Sequence, residues 1–188
     1  MNEDTLRMEL QRSMMLAGLE YHHPEDSKRT DSGRPDILSI SGAVIEVKKI
    51  EETSRIEPWF DPKKISKPQR RQLDYYSFGR GIQTYLAIGT TFGRPRRMWV
   101  IPWKMWVALE FRLVDELVSD NPLMIKPIAI EKFRILISKL EVFKEYEMVW
   151  TGKSVWKFPF AHPILMLSNI RLESEWEPHS IRFEEIIK

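Results

Sequence analysis

No cysteine occurs among the 188 residues, which excludes disulfides, cysteine nucleophiles and thiolate zinc sites. No apolar run approaches the length of a membrane span, and the first residues carry neither the basic start nor the apolar stretch of a signal peptide. An intracellular protein, cytoplasmic or nucleoid-associated, with no membrane partner is expected. The four histidines, His22, His23, His162 and His179, offer no metal-ligand spacing beyond one adjacent pair. His22 and His23 follow the first helix and could border a site, although packing or solvation is the simpler role. Internal repeats, low-complexity tracts and flexible Gly/Ser linkers are also missing. What remains is a chain that is 43% hydrophobic and 30% charged, enough to bury a core as one domain with an appended part.

The net charge of +2 conceals a strong local imbalance. Between residues 63 and 104 stand 10 basic side chains and a single acid, Asp74. The cations are Lys63, Lys64, Lys67, Arg70, Arg71, Arg80, Arg94, Arg96, Arg97 and Lys104. A charge run is usually a solvated face. Clustered cations beside a carboxylate site would also suit a phosphate backbone, because counterion release gives affinity independent of sequence.

Such a carboxylate site is legible just upstream. Residues 36–40 and 43–49 are rich in β-branched and apolar side chains, and Ser41 with Gly42 supplies a turn, so a hairpin is expected. Glu46 and Lys48 are two apart on the second strand and share one face, with Ile45 and Val47 turned the other way. Asp36 begins the preceding strand and can lie beside them. Two hard oxygen ligands suit Mg2+, with Mn2+ as a substitute, and Lys48 could orient or polarise the attacking water. A surface salt-bridge set is the alternative. It would not require the alternation of Glu46 and Lys48 on an apolar strand together with the Pro35-Asp36 entry.

At these residues the chain resembles the PD-(D/E)xK nuclease superfamily: Pro35-Asp36, nine residues, then Glu46-x-Lys48. Within it, the archaeal Holliday-junction resolvases and the virus-type replication-repair (VRR-Nuc) nucleases are most similar. Those families carry a glutamate in an N-terminal helix, a Ser/Gly loop before the Pro-Asp pair, and a later helix opening with glutamine. Here Glu9 lies in the helical stretch 4–19, Ser32 and Gly33 precede Arg34, and Gln69 opens the stretch 68–78, with Gln72 also available.

The resemblance covers roughly residues 4–103. It implies an α/β fold with a restriction-endonuclease-like αβββαβ core, a mixed, mostly antiparallel sheet flanked by helices. Residues 1–103 form that core in this reading and residues 104–188 a C-terminal α+β extension packed on it. Implied site residues are Asp36, Glu46, Lys48, Gln69 and Glu9, with Asp36, Glu46 and Glu9 toward the metal. Ser32, Arg34, Lys49, Lys63, Lys64, Lys67, Arg70, Arg71, Arg80, Arg94, Arg96 and Arg97 are the expected DNA contacts.

The implied activity is a Mg2+-dependent endodeoxyribonuclease acting on branched DNA such as a Holliday junction, as a homodimer and without a small-molecule cofactor. A restriction-like, flap or single-strand nuclease keeps the chemistry and changes the substrate. A non-catalytic DNA-binding protein on the same fold is the reading of another class.

Glu51, Glu52, Glu57 and Asp61 in the following loop are expected to face water. On the first helix, Leu6, Leu10, Met14 and Leu16 should form the buried stripe. Residues 103–118 and 130–143 read as helices, separated by breakers at Pro122 and Pro127, and residues 147–150 and 154–158 read as a hairpin. Its Trp150, Trp156 and Phe158, with Phe160 beyond, suit a core, a dimer interface or base stacking. Tyr75 and Phe78 should share the core-facing stripe with Leu73, leaving Tyr76 as the candidate for substrate contact.

Overall fold

The structure is a computed structural model that describes residues 3–19, 21–22, 35–39, 42–50, 58–91, 96–120, 134–152 and 155–167. Helix α1 (Glu3–Leu16) is followed by strands β1 (Tyr21–His22), β2 (Ile37–Ser39) and β3 (Ala43–Ile50). A short strand β4 (Trp59–Phe60) and a 3-10 turn lead into α2 (Lys67–Asp74), which widens into a π-helical turn over Tyr75–Gly79. Strands β5 (Gln83–Thr90) and β6 (Met98–Pro102) and helix α3 (Trp103–Asp120) follow. The last elements are β7 (Ile135–Leu136), the short α4 (Glu141–Lys144), β8 (Val149–Trp150) and β9 (Trp156–Lys157).

Five strands form one mixed sheet in the order β1-β2-β3-β5-β6, in which only the β3 and β5 pair is parallel. The α/β class and the mixed sheet flanked by helices therefore match the sequence expectation, with β4 an extra strand before α2 outside this sheet. A parallel pair needs a crossover connection, and the segment carrying α2 provides it between Ile50 and Gln83. Gly42 stands at φ +95°, a backbone region costly for other residues, immediately before β3. The register sets Ile37 opposite Ile45 and Leu38 opposite Val44.

The pleat of β3 divides the core. Ile45 and Val47 join Leu6, Leu10 and Met14 of α1 on one side, while Val44 and Ile50 face the α2 and α3 side with Leu73, Trp103 and Trp106. At Gly89 the helix approaches the sheet closely: a Cβ there would lie 2.9 Å from Leu6 Cδ2. Leu16 is 75% exposed and does not belong to the stripe. Positions 6, 10 and 14 recur at one face of the helix, and 16 falls two residues beyond that line.

Residues after 103 contribute to both clusters. Met148 donates its N–H to Met98 O (2.8 Å) and Val100 donates to Tyr146 O (3.0 Å), so the later segment is bonded to the β6 edge. Trp156 and Phe158 are buried against the α1 side and Trp150 packs on it, while Phe160 is fully exposed. The helix expected over 130–143 is not what forms in its described part. Ile135 and Leu136 pair with Phe60 and Trp59, a 3-10 turn follows at Ile137–Lys139, and only Glu141–Lys144 are α-helical. Burial of Ile135 and Ile137 two residues apart, with β-branched side chains, favours extended backbone once β4 offers a partner.

His162 is buried between β6 and the C-terminal turn. Its Nε2 donates to Val100 O (2.7 Å) while Nδ1 accepts from Ile164 N (3.2 Å), which fixes the neutral tautomer. Burial pushes its pKa down to about 4, against the pull of the Val100 carbonyl. The unfolded chain takes up this proton first, so the stabilisation is present above about 6.5 and is lost as pH falls toward 4. Urea unfolding should thus reveal a decline of up to roughly 3 kcal/mol across that window. His162→Gln should flatten the decline; an equally steep profile in the variant would remove the assignment.

Candidate active site

Glu46 sits at the centre of β3, 1% exposed. Its carboxylate accepts from Lys48 Nζ at 2.6 Å and from Gln69 Nε2, both on Oε1. Lys48 is on the same strand face, as its i+2 spacing requires, and is itself buried. Asp36 enters just before β2, and its Oδ2 accepts the backbone N–H of Val47 at 2.7 Å. That contact ties the residue before one strand to the middle of the next and brings the two carboxyl groups together.

Gln69 reaches Glu46 because of how α2 begins. Ser66 is the N-cap, accepting from Gln69 N (3.4 Å), while Gln69 Oε1 accepts from Ser66 N (3.0 Å). This reciprocal capping box fixes the side chain and leaves its amide nitrogen for Glu46. Of the two candidate glutamines, Gln69 makes the contact; Gln72 lies one turn on, and its buried Oε1 has no hydrogen-bond partner. Arg70 secures the helix further. It forms two short bonds to Glu110 (2.6 and 2.7 Å) and donates to Pro62 O (2.9 Å), joining the α2 entry to α3.

The electrostatics follow from burying like charges side by side. Burial and the nearby Asp36 charge push Glu46 up to about 7, against the opposing effect of Lys48. Asp36 is raised as well, mainly by burial, with the Val47 N–H and the charges of Lys48 and Arg7 working the other way. Burial opposes the charge of Lys48, yet Glu46 holds its pKa above the usual lysine range. Among the described residues, Asp36 Oδ1 and Glu46 Oε2 have no protein partner. A buried and a partly buried carboxylate, each with an oxygen that no described residue meets, fit a hard divalent cation completed by waters and phosphate oxygens. No group of three carboxylates or histidines suited to a metal occurs among the described residues.

Glu9 belongs elsewhere. It is 3% exposed and pairs with Arg96 Nη2 at 2.8 Å, while Trp156 Nε1 stands 3.4 Å from its other oxygen. Arg96 in turn lies over the Trp150 ring, 4.3 Å from its centroid. The packing of the β8 and β9 hairpin on α1 holds Glu9 in an ion pair with Arg96 rather than against Glu46 or Lys48. The carboxylate that α1 brings to the site is Glu3, whose Oε1 lies 3.4 Å from Lys48 Nζ and whose Oε2 accepts from Lys49 N (3.4 Å). One turn along, Arg7 influences Asp36, and its buried Nε has no partner although Nη2 meets Asp4 at 3.1 Å. Sequence reasoning missed both residues. The available signal was their i,i+4 spacing beside Leu6 and Leu10, which puts them on one flank of the helix.

The expected DNA contacts divide in a similar way. Arg70, Arg96 and Arg97 are engaged by Glu110, Glu9 and Glu147, the last at 2.5 Å, and so serve as internal ties. Lys64 Nζ donates to Lys49 O (3.2 Å). Lys63, Lys67, Arg71 and Arg80 are exposed and Lys49 is half-buried on β3. Asp61 caps the 3-10 turn through Lys63 N (2.9 Å). Ser32, Arg34, Arg94, His23, His179, Glu51, Glu52 and Glu57 lie outside the described residues.

In the metal-free protein, carbon-13 NMR of the Glu46 carboxyl should give a midpoint near 7, lowered by Asp36→Asn. A midpoint near 4.5, the ordinary value, would contradict the burial argument. Glu9→Ala should cost about 3 kcal/mol by removing the carboxylate that meets Arg96 in a largely buried position; an unchanged urea midpoint would dissolve the assigned role.

No protein-family model matches the chain, and no curated protein matches it. Among solved structures it is similar to Hjc, a Holliday junction resolvase from the archaeal hyperthermophile Archaeoglobus fulgidus. The identity is 20%, with 53% of this chain and 74% of that chain covered and a TM-score of 0.36. A likeness of that extent carries no functional argument, and the chain's own site geometry must supply it.

Proposed function

We propose that this protein is a divalent-metal-dependent DNA endonuclease. The observation that carries the reading is the pairing of Asp36 and Glu46 in a buried site where Lys48 and Gln69 both hold Glu46. A structural ion pair needs one carboxylate for one ammonium. Here a second, partly buried carboxylate stands beside the first, which is unfavourable unless a cation offsets it.

Asp36 and Glu46 would hold Mg2+ or Mn2+. Bound there, the ion would polarise a phosphoryl oxygen and acidify a water for in-line attack. The remaining roles belong to the chain's own side chains. Gln69, locked by its capping box, keeps the Glu46 carboxylate in one orientation. Lys48 supplies positive charge where negative charge grows on the phosphate. Arg7, whose charge acts on Asp36, is suited to donate from its guanidinium to a phosphate oxygen. Exposed Lys63, Lys67, Arg71 and Arg80 offer backbone contacts that position a strand without reading its sequence.

The preferred substrate in this reading is branched DNA, with the protein acting as a homodimer; both follow from the motif resemblance. The test is cleavage of a labelled four-way junction against its linear duplex arms in Mg2+. Wild type should nick near the branch point, and Asp36→Ala or Glu46→Ala should reduce the rate at least 1000-fold, an estimate of about 4 kcal/mol. Cleavage that persists in both variants would refute the site. Equal cutting of junction and duplex would refute the substrate only. Arg7→Ala should raise the apparent KM and reduce the salt slope of binding by about one.

A further inference from the structure

We propose that the outer flank of the π-helical turn is a stacking ledge for unpaired bases of the DNA strand, formed by Tyr75 and Phe78 with Arg80 and Lys104 beside them. The inference deepens the nuclease reading by naming the state of the substrate near the site.

Tyr75 and Phe78 are 54% and 56% exposed, whereas Trp99, Trp103 and Trp106 nearby are at most 1% exposed. At about 100° per residue Ser77 shares the face of buried Leu73, and Tyr75 and Phe78 fall about 160° and 140° away from it. The wider winding over Tyr75–Gly79 keeps the small polar Ser77 inward, 2% exposed, and leaves both aromatics outward. Such π-turns recur at functional sites because they cost regularity in the helix.

The rings are also held. Tyr75 meets Tyr76 edge to face at 5.6 Å, and its ring edge passes 3.5 Å from where a Cβ on Gly79 would stand. Arg80 Nη1 donates to the Tyr75 hydroxyl (3.4 Å), and Lys104 Nζ lies 5.7 Å from the Phe78 ring centroid. Trp103 Nε1 donates to Asp74 Oδ1 at 2.7 Å, which fixes the start of α3, and with it Lys104, against the end of α2.

A ligand that matches this surface offers flat π faces and negative charge in alternation. An unpaired nucleic-acid strand does so, since bases stack on aromatic rings while phosphates meet the flanking cations. A paired duplex hides its base faces and would find only the cations. An acidic peptide would satisfy the cations without using two ring faces. The ledge begins on the same helix as Gln69, six residues further on, roughly 9 Å of helix rise.

The test uses the full chain with Tyr75→Ala/Phe78→Ala, and Tyr75→Leu/Phe78→Leu as a second variant that keeps apolar bulk. Binding is measured in EDTA to a flapped oligonucleotide and to a fully paired duplex, with 2-aminopurine in the unpaired segment. Both variants should bind the flap roughly 10- to 100-fold more weakly. They should bind duplex within about threefold of wild type and lose the stacking-dependent quenching of 2-aminopurine. Equal losses on the two DNAs, or no loss, would overturn the proposal. So would a change confined to sedimentation of the free protein, which would assign the ledge to self-association. Wild-type cleavage in Mg2+ with an unchanged flap preference in the variants would sink the ledge and leave the nuclease standing. Ring-dependent flap binding without any cleavage would do the reverse.

Discussion

A buried and a partly buried carboxyl group set side by side constrain the rest of this structure. Burial and the repulsion from Asp36, which water screens only in part, drive Glu46 toward neutrality. The surrounding architecture holds the two together despite this. Val47 donates to Asp36 from within the sheet, Lys48 answers from the same strand, and Gln69 arrives from a helix whose first turn is locked by its own cap. Arg70, bonded to Glu110 and to the Pro62 carbonyl, keeps that helix seated on α3. Each tie lowers the freedom of a group that must be in place before any cation or phosphate binds, which is how preorganised sites gain their advantage.

The C-terminal segment serves the same end at a distance. Its backbone bonds to β6 and its tryptophans pack on α1, so the helix that carries Glu3 and Arg7 is clamped between hairpin and sheet. Glu9 and Arg96 form the polar part of that clamp. A chain ending at β6 would leave the buried Glu9 without the cover of Trp156, and α1 with a large apolar face open to water.

The β2 and β3 hairpin was legible because its signals are local: alternation, a turn pair and a proline before Asp36 all act within a few residues. Gln69 was legible for a similar reason, since Ser66 and Gln69 form a cap three residues apart. The misread positions depend on contacts far away in sequence. Glu9 and Glu3 are equally plausible on the helix alone, and only the hairpin, some 140 residues later, decides between them. Residues 135–137 have apolar spacing compatible with a helix until β4 supplies a strand partner. Tyr75 and Phe78 were assigned inward for their spacing of three, but both lie far round the helix from Leu73, whose face Ser77 shares. Of the ten cations clustered in the middle of the chain, Arg70, Arg96 and Arg97 turn out to bind carboxylates, information that charge counting does not contain.

The central claim is that Asp36 and Glu46 together form a cation site. Calorimetric titration of Mn2+ into the metal-free protein at pH 8, beside Asp36→Asn and Glu46→Gln, tests it most directly. Wild type should bind with saturable heat, and each variant should lose most of the affinity while remaining folded. Undiminished Mn2+ binding in both variants, or none in the wild type even with DNA present, would contradict the account.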